Sequence, residues 1–243
     1  MRRCLQAARC SVRAWGPTQT PCTDHGADQM NTQSLETRIE RLEAAVEVQN
    51  LMSRYQYLHS AFRNAEIVQL FAEREDVTID GPFGRYFGID AAQRCFGILF
   101  EEDLAPRDLR GEIVEHTLTT PIIEVAGDAR TAKAVWNSPG QEAHKFFWVE
   151  GSPRIAFWYW CKYSVDFIKT DDGWRIWHLN VYPTFAADYY RSWADGAPPP
   201  EPPLAAGKAK YDEPPSVDTR YDINRAPQLI PAPPAPYDTW NAD

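Results

Sequence analysis

The apolar residues of this chain change their period once, near residue 111, and that change limits the folds open to it. From Leu35 they recur at helical spacing: Leu35, Ile39, Leu42 and Val46, then Leu51, Tyr55, Leu58 and Phe62. Charged residues fill the other face, so the spacing predicts a long amphipathic helix, broken once near Asn50. Asn64 is placed to cap a short second helix through Ala72, and Asp90 a third from Ala91 to about Glu102. Beyond residue 111 the pattern alternates. Strands are expected at about 113–125, 129–137, 155–170 and 173–182, with tight turns at Ala126-Gly127-Asp128 and Asp171-Asp172-Gly173. Val77–Gly81 reads as one brief earlier strand, and 138–154 as an insertion between strands. Helices first and a meandering sheet afterwards imply an α+β fold with the helices packed on one face.

The flanks differ in composition. Residues 1–31 carry Arg2, Arg3, Arg9 and Arg13 without an apolar core, so they read as a disordered leader, with Met30 a candidate true start. The α+β domain is expected at 32–193. From 194 to 243 the chain is proline-rich, holding twelve of its 20 prolines, among them Pro198–Pro200 and Pro231. Such a tail favours extended geometry. It is either a free linker or, given Leu229, Ile230, Tyr237 and Trp240, a strap across the domain or a neighbouring subunit.

Several function classes are disfavoured. Net charge is −9 with no basic stripe, which argues against nucleic acid. No apolar run approaches the ~18 residues of a membrane span. The five cysteines form no C-x-x-C pair, so a reducing, cytoplasmic setting is expected, with Cys95 and Cys161 as small core residues. Dispersed histidines do not form a metal motif, and no Walker or G-x-G-x-x-G loop is present, so neither metal nor cofactor is expected.

One residue carries chemistry. His116 sits in Glu115-His116-Thr117-Leu118-Thr119, at a strand end that can aim an imidazole able to move protons near neutral pH. A hydrogen-bonded core histidine is the plainer alternative. Tyr55 and His59 lie one helical turn apart and share a face.

These residues have a family context. Arg54-Tyr55, Ile67–Ala72, the stretch His116–Trp136 and Asp172-Gly173-Trp174-Arg175-Ile176 resemble the SnoaL-like branch of the nuclear-transport-factor-2 superfamily, over about Leu35 to Tyr190. The resemblance implies a cone-like barrel, helices packed on a curved antiparallel or mixed sheet. Within the branch the chain is most similar to bile-acid and scytalone dehydratases. Tyr55 then matches a catalytic tyrosine and His116 the strand histidine. The position of the histidine's carboxylate partner falls on Ser60, beside His59, and Pro183 stands near that of an arginine.

Asp80 is the candidate for the missing carboxylate. The expected pocket is lined by Phe83, Trp136, Asn137, Trp160 and Tyr163, since 13% aromatic residues suit a flat apolar ligand. The resulting expectation is a cofactor-independent lyase acting on a hydrophobic aromatic or polycyclic alcohol, by dehydration or by aldehyde (formaldehyde) elimination, with His116 as base and Tyr55 as acid. A ketosteroid-type isomerase, a polyketide cyclase and a non-catalytic ligand-binding or assembly subunit are the alternatives. A homo-oligomer, dimer or trimer, through the open face of the sheet is expected.

Overall fold

The computed structural model describes residues 34–104, 108–146, 149–195, 207–216 and 218–240. The expected leader, Pro106, the Phe147-Trp148 pair and Pro198–Pro203 lie outside these residues. Helix α1 (Leu35–Ser60) has no glycine or proline and runs unbroken through Asn50. It stops in a Schellman turn: Phe62 adopts φ 55°, its N–H reaches the His59 carbonyl, and the Arg63 N–H reaches Leu58. The buried face is Ala44, Val48, Met52 and Tyr55. This corrects the expected packing, because Leu35, Ile39, Leu42 and Val46 point away and are exposed. Small Ala44 and unbranched Met52 let the helix lie close on the sheet, which the larger stripe would prevent.

Helix α2 (Asn64–Ile67) continues as one 3-10 turn, Val68–Leu70, and ends before Ala72, because Phe71 leaves to bridge Ile176. Helix α3 (Gln93–Asp103) is wound as a π-helix, its last turn closed by Leu104 N–H on the Leu99 carbonyl, five residues back.

The strands are β1 (Thr78–Gly81), β2 (Gly84–Phe87), β3 (Ile113–His116), β4 (Thr119–Val125), β5 (Thr131–Ser138), β6 (Gly140–Lys145), β7 (Arg154–Thr170) and β8 (Gly173–Asp188). They form one curved sheet of order β2-β1-β8-β7-β5-β4, mixed because β1 runs parallel to β8. Strand β7 is its spine. Its second half pairs with β5 and its first half with β6, which in turn pairs with β3. The segment expected as an insertion therefore contains a strand of the sheet, β6. Pro139 separates β5 from β6, and the expected single strand at 113–125 divides likewise at Thr117-Leu118.

A bulge on β8 settles which face is which. Trp177 has no partner in the register between Asp166↔His178 and Phe167↔Ile176. One extra residue reverses the alternation. Trp174, Ile176 and Leu179 consequently point into the core, whereas His178, Asn180 and Tyr182 lie on the outer face.

The tail crosses that outer face. Asp212 and Glu213 pair with Arg85 of β2, Tyr221 N–H bonds the Thr184 carbonyl, and Lys162 Nζ donates to Ile230 O at 3.1 Å. Tyr237 and Asp238 accept from Gly127 and Asp128 in the β4–β5 turn. Trp240 lies against Trp177 with rings 4.6 Å apart, and Lys133 Nζ stands 4.5 Å from its ring centre. An extended, proline-rich segment has few backbone hydrogen bonds of its own, so it can spend its carbonyls on a neighbouring sheet. Trp240→Ala removes an aromatic and a cation–π contact. It should lower stability by about 1–3 kcal/mol, read as a reduced Tm with an unchanged far-ultraviolet spectrum.

Candidate active site

Antiparallel pairing of β3 with β6 builds the site. His116 lies opposite Gly140, and Val114 opposite Glu142. Alternate residues share a face, so Glu112, Val114 and His116 meet Gly140, Glu142 and His144. The side chains then join in a line. His116 Nε2 is 3.0 Å from Glu142 Oε1, and Glu142 Oε2 is 2.9 Å from His144 Nε2. His144 Nδ1 is 2.8 Å from Glu112 Oε2, and Arg154 donates to Glu112 Oε1 at 2.7 Å. Gly140 seats the histidine: a Cβ there would lie 2.2 Å from the Tyr159 carbonyl oxygen and 2.7 Å from His116 Nδ1.

Helix α1 supplies the facing groups from its last turns. The Tyr55 and His59 rings are 6.1 Å apart, and those of His59 and His116 5.9 Å. His59 Nδ1 is 2.7 Å from Asn64 Oδ1, which the Schellman turn brings back beneath it. Tyr163 of β7 stands edge-on to Tyr55 at 6.2 Å, and Tyr159 edge-on to His116 at 5.8 Å. Phe83 stands edge-on to Phe100, itself edge-on to His59, so both form an aromatic rim. The centre is closed: Tyr55 is 3% exposed and His116 7%.

Several buried polar atoms here have no protein partner: His116 Nδ1, both amide atoms of Gln56 and Ser138 Oγ. Orphaned polar atoms are rare in protein interiors and mark places where water or a ligand belongs.

The environment drives the titratable groups apart. Burial disfavours charge on His116, but the Cys161 side chain and the Glu142 carboxylate beside it outweigh burial and push the imidazole up to about 10. Burial likewise opposes ionisation of Glu142, yet two flanking histidines hold it down at about 2. His144 is raised by Glu142 and Glu112 against its own burial. Burial, then the neighbouring His116, lowers His59 to about 4, so it is neutral. Burial raises the Tyr55 and Tyr163 hydroxyls well above the usual phenol range, which keeps both protonated.

Tyr55, His59, His116 and Tyr163 therefore come together, with Phe83 at the rim. The other expected residues do not join them. Asp80 accepts from the Ser216 hydroxyl and pairs with Arg85 at 3.4 Å, so it does not orient His116. The carboxylate that does so is Glu142, on a segment whose flanking prolines and glycines read as an insertion in sequence. The signal was the Glu142-x-His144 spacing on an alternating stretch. Trp136 is buried beside the site's floor, donating to Gln49 Oε1 at 3.1 Å and packing on Phe167. Asn137, next in the alternation, faces outward and donates to Thr120 Oγ1. A bulge at Trp160/Cys161 turns Trp160 outward, where it stacks on Phe185 at 5.4 Å.

The sequence matches the SnoaL-like domain over residues 40–180. The chain belongs to the SnoaL-like domain family. Among solved structures it is similar to the hexachlorocyclohexane dehydrochlorinase LinA-type3 of Novosphingobium barchaimii LL02, with TM-score 0.50 and 14% identity over 68% of this chain and 99% of that one. It is also similar to a scytalone dehydratase-like protein of Novosphingobium aromaticivorans DSM 12444 (TM-score 0.47, 17% identity, 68% and 97% covered). An NTF2-like superfamily protein of Salmonella enterica serovar Typhimurium LT2 gives TM-score 0.46 and 18% identity, with 58% and 92% covered. At 14% identity the likeness to the dehydrochlorinase shows the fold alone, an α+β cone. No curated protein matches significantly. Among the described residues no helix is long and apolar enough to cross a membrane.

The pairing also sets a pH dependence. Raised from its ordinary 6.5, His116 contributes stability that is complete below about pH 6.5 and lost as pH rises toward 10. Lowered from 4.5, Glu142 contributes above about pH 4.5 and less as pH falls toward 2. Unfolding midpoints in urea should be highest between these values, and Glu142→Gln should flatten the decline on the alkaline side. An unaltered alkaline decline in that variant would contradict the pairing.

Proposed function

We propose that this protein is a cofactor-independent lyase acting on a hydrophobic aromatic or polycyclic alcohol, by dehydration or by release of a small aldehyde. The observation that carries this reading is the His116–Glu142 pair with His116 Nδ1 buried and unpartnered. Glu142 fixes the tautomer by accepting from Nε2, which leaves Nδ1 as the nitrogen that acts as base. In dehydration Nδ1 takes a C–H proton, its electron pair forms the double bond, and the C–O bond breaks toward the oxygen. The Tyr55 hydroxyl, kept neutral by burial, gives that oxygen its proton and water leaves. In aldehyde release Nδ1 takes an O–H proton instead, that electron pair forms the aldehyde C=O, the C–C bond breaks, and the Tyr55 hydroxyl protonates the carbon that keeps the pair. His59 stays neutral beside both rings and leaves the charge on His116. The dehydratase-like and dehydrochlorinase relatives are named for eliminations, in keeping with this reaction class.

An isomerase would need a carboxylate able to reach two carbons. Both Glu142 oxygens are engaged by histidines, and Asp80 by Ser216 and Arg85. That favours the lyase. A non-catalytic subunit would leave His116 satisfied by backbone, whereas its partner is a buried carboxylate.

His116→Ala should reduce turnover by about 10²–10⁴ and lower the Tm while the far-ultraviolet spectrum stays that of the folded chain, and Tyr55→Phe should reduce turnover by about 10²–10³. Aryl and steroid alcohols, screened by mass spectrometry for loss of water or formaldehyde, supply the assay. Wild-type turnover in His116→Ala rejects the reading. As a base with raised pKa, His116 should give a rate that climbs with pH above neutrality. A rate falling over that range would make the imidazolium the acid instead.

A further inference from the structure

Helix α1 carries apolar residues on two opposite faces, and the cone uses only one. Ala44, Val48, Met52 and Tyr55 are buried on the sheet. On the far side Leu35, Ile39, Leu42 and Val46 are 68%, 46%, 69% and 61% exposed. At 100° per residue these four fall within one narrow stripe, roughly opposite the buried face.

Their spacing is that of a coiled-coil seam. Leu35 and Leu42 occupy successive d positions of a heptad, and Ile39 and Val46 successive a positions. β-branched residues at a with leucine at d favour two parallel strands. The flanking positions agree. Glu36 and Glu43 fall at e, Arg38 and Ala45 at g. In a parallel pair a g residue faces the e residue five places further along the other helix, so Arg38 meets Glu43 of the partner subunit, twice by symmetry. An antiparallel pair would instead set e against e, bringing glutamates together.

We propose that α1 pairs in parallel with α1 of a second copy of this chain through Leu35, Ile39, Leu42 and Val46. The described tail covers much of the outer sheet face, with Trp240 on Trp177 and His178, whereas the helix seam is an exposed apolar stripe among the described residues and carries self-complementary charges. Two heptads make a small interface, so the dimer is weak and concentration-dependent. The seam lies away from His116 and is independent of the reaction proposed above.

Sedimentation velocity on the full chain over a wide concentration range tests this, with folding followed by circular dichroism. The wild type should shift from monomer to dimer as concentration rises. Leu42→Lys should remain monomeric with an unchanged spectrum and Tm. Arg38→Glu should weaken the dimer about five- to tenfold, and Arg38→Glu combined with Glu43→Arg should restore it. A wild type that is monomeric throughout overturns the proposal, as does a Leu42→Lys chain that still dimerises. Failure of the charge exchange to restore association overturns the parallel arrangement.

Discussion

A carboxylate buried between two imidazoles organises this molecule. An ionised glutamate without partners could not stay in the interior of the cone, because removing it from water costs several kcal/mol. Glu142 stays because His116 and His144 each present a ring nitrogen to one of its oxygens. The register of β3 on β6 meets that demand, and Gly140 leaves a side-chain-free seat for His116. It also ties the site outward through Glu112 to Arg154. Removing one member of such a set leaves an uncompensated charge, so the array is a structural requirement as well as a chemical resource.

The same array separates the protonation states the chemistry needs. His59 and His116 are neighbours, yet one is neutral and the other strongly basic, because only His116 faces a carboxylate. Tyr55 keeps its proton chiefly through burial. Two imidazoles and a phenol with neighbouring ring centres 5.9 and 6.1 Å apart thus differ in role through their surroundings, not their identities. The unpaired Nδ1 is where this polarised set meets the interior.

Two surfaces outside the site are treated differently by the chain. The outer sheet face is covered from within, by a tail whose prolines remove competing backbone structure and whose aromatic residues supply the contact. Among the described residues the outer face of α1 stays apolar and exposed. Both follow from sequence stretches that carry more apolar surface than the cone itself can use.

Legibility followed the range of the interactions. The helical period before residue 111, the alternation after it, and the turns at Gly127 and Asp171-Asp172 are local patterns, so the α+β class was readable directly. So was the grouping of Tyr55 with His59, one turn apart on one helix. The inward direction of α1 was not, because both of its stripes are apolar and only the shape of the sheet chooses Ala44 and Met52. Nor was the direction of His178 and Asn180, since a single bulge at Trp177 inverts the alternation. The sequence by itself determined which elements form and that His116 ends a strand. Tertiary structure alone decided that Glu142, not Asp80, stands beside it, because that partnership depends on cross-strand register, and register is set by pairing between segments distant in the chain.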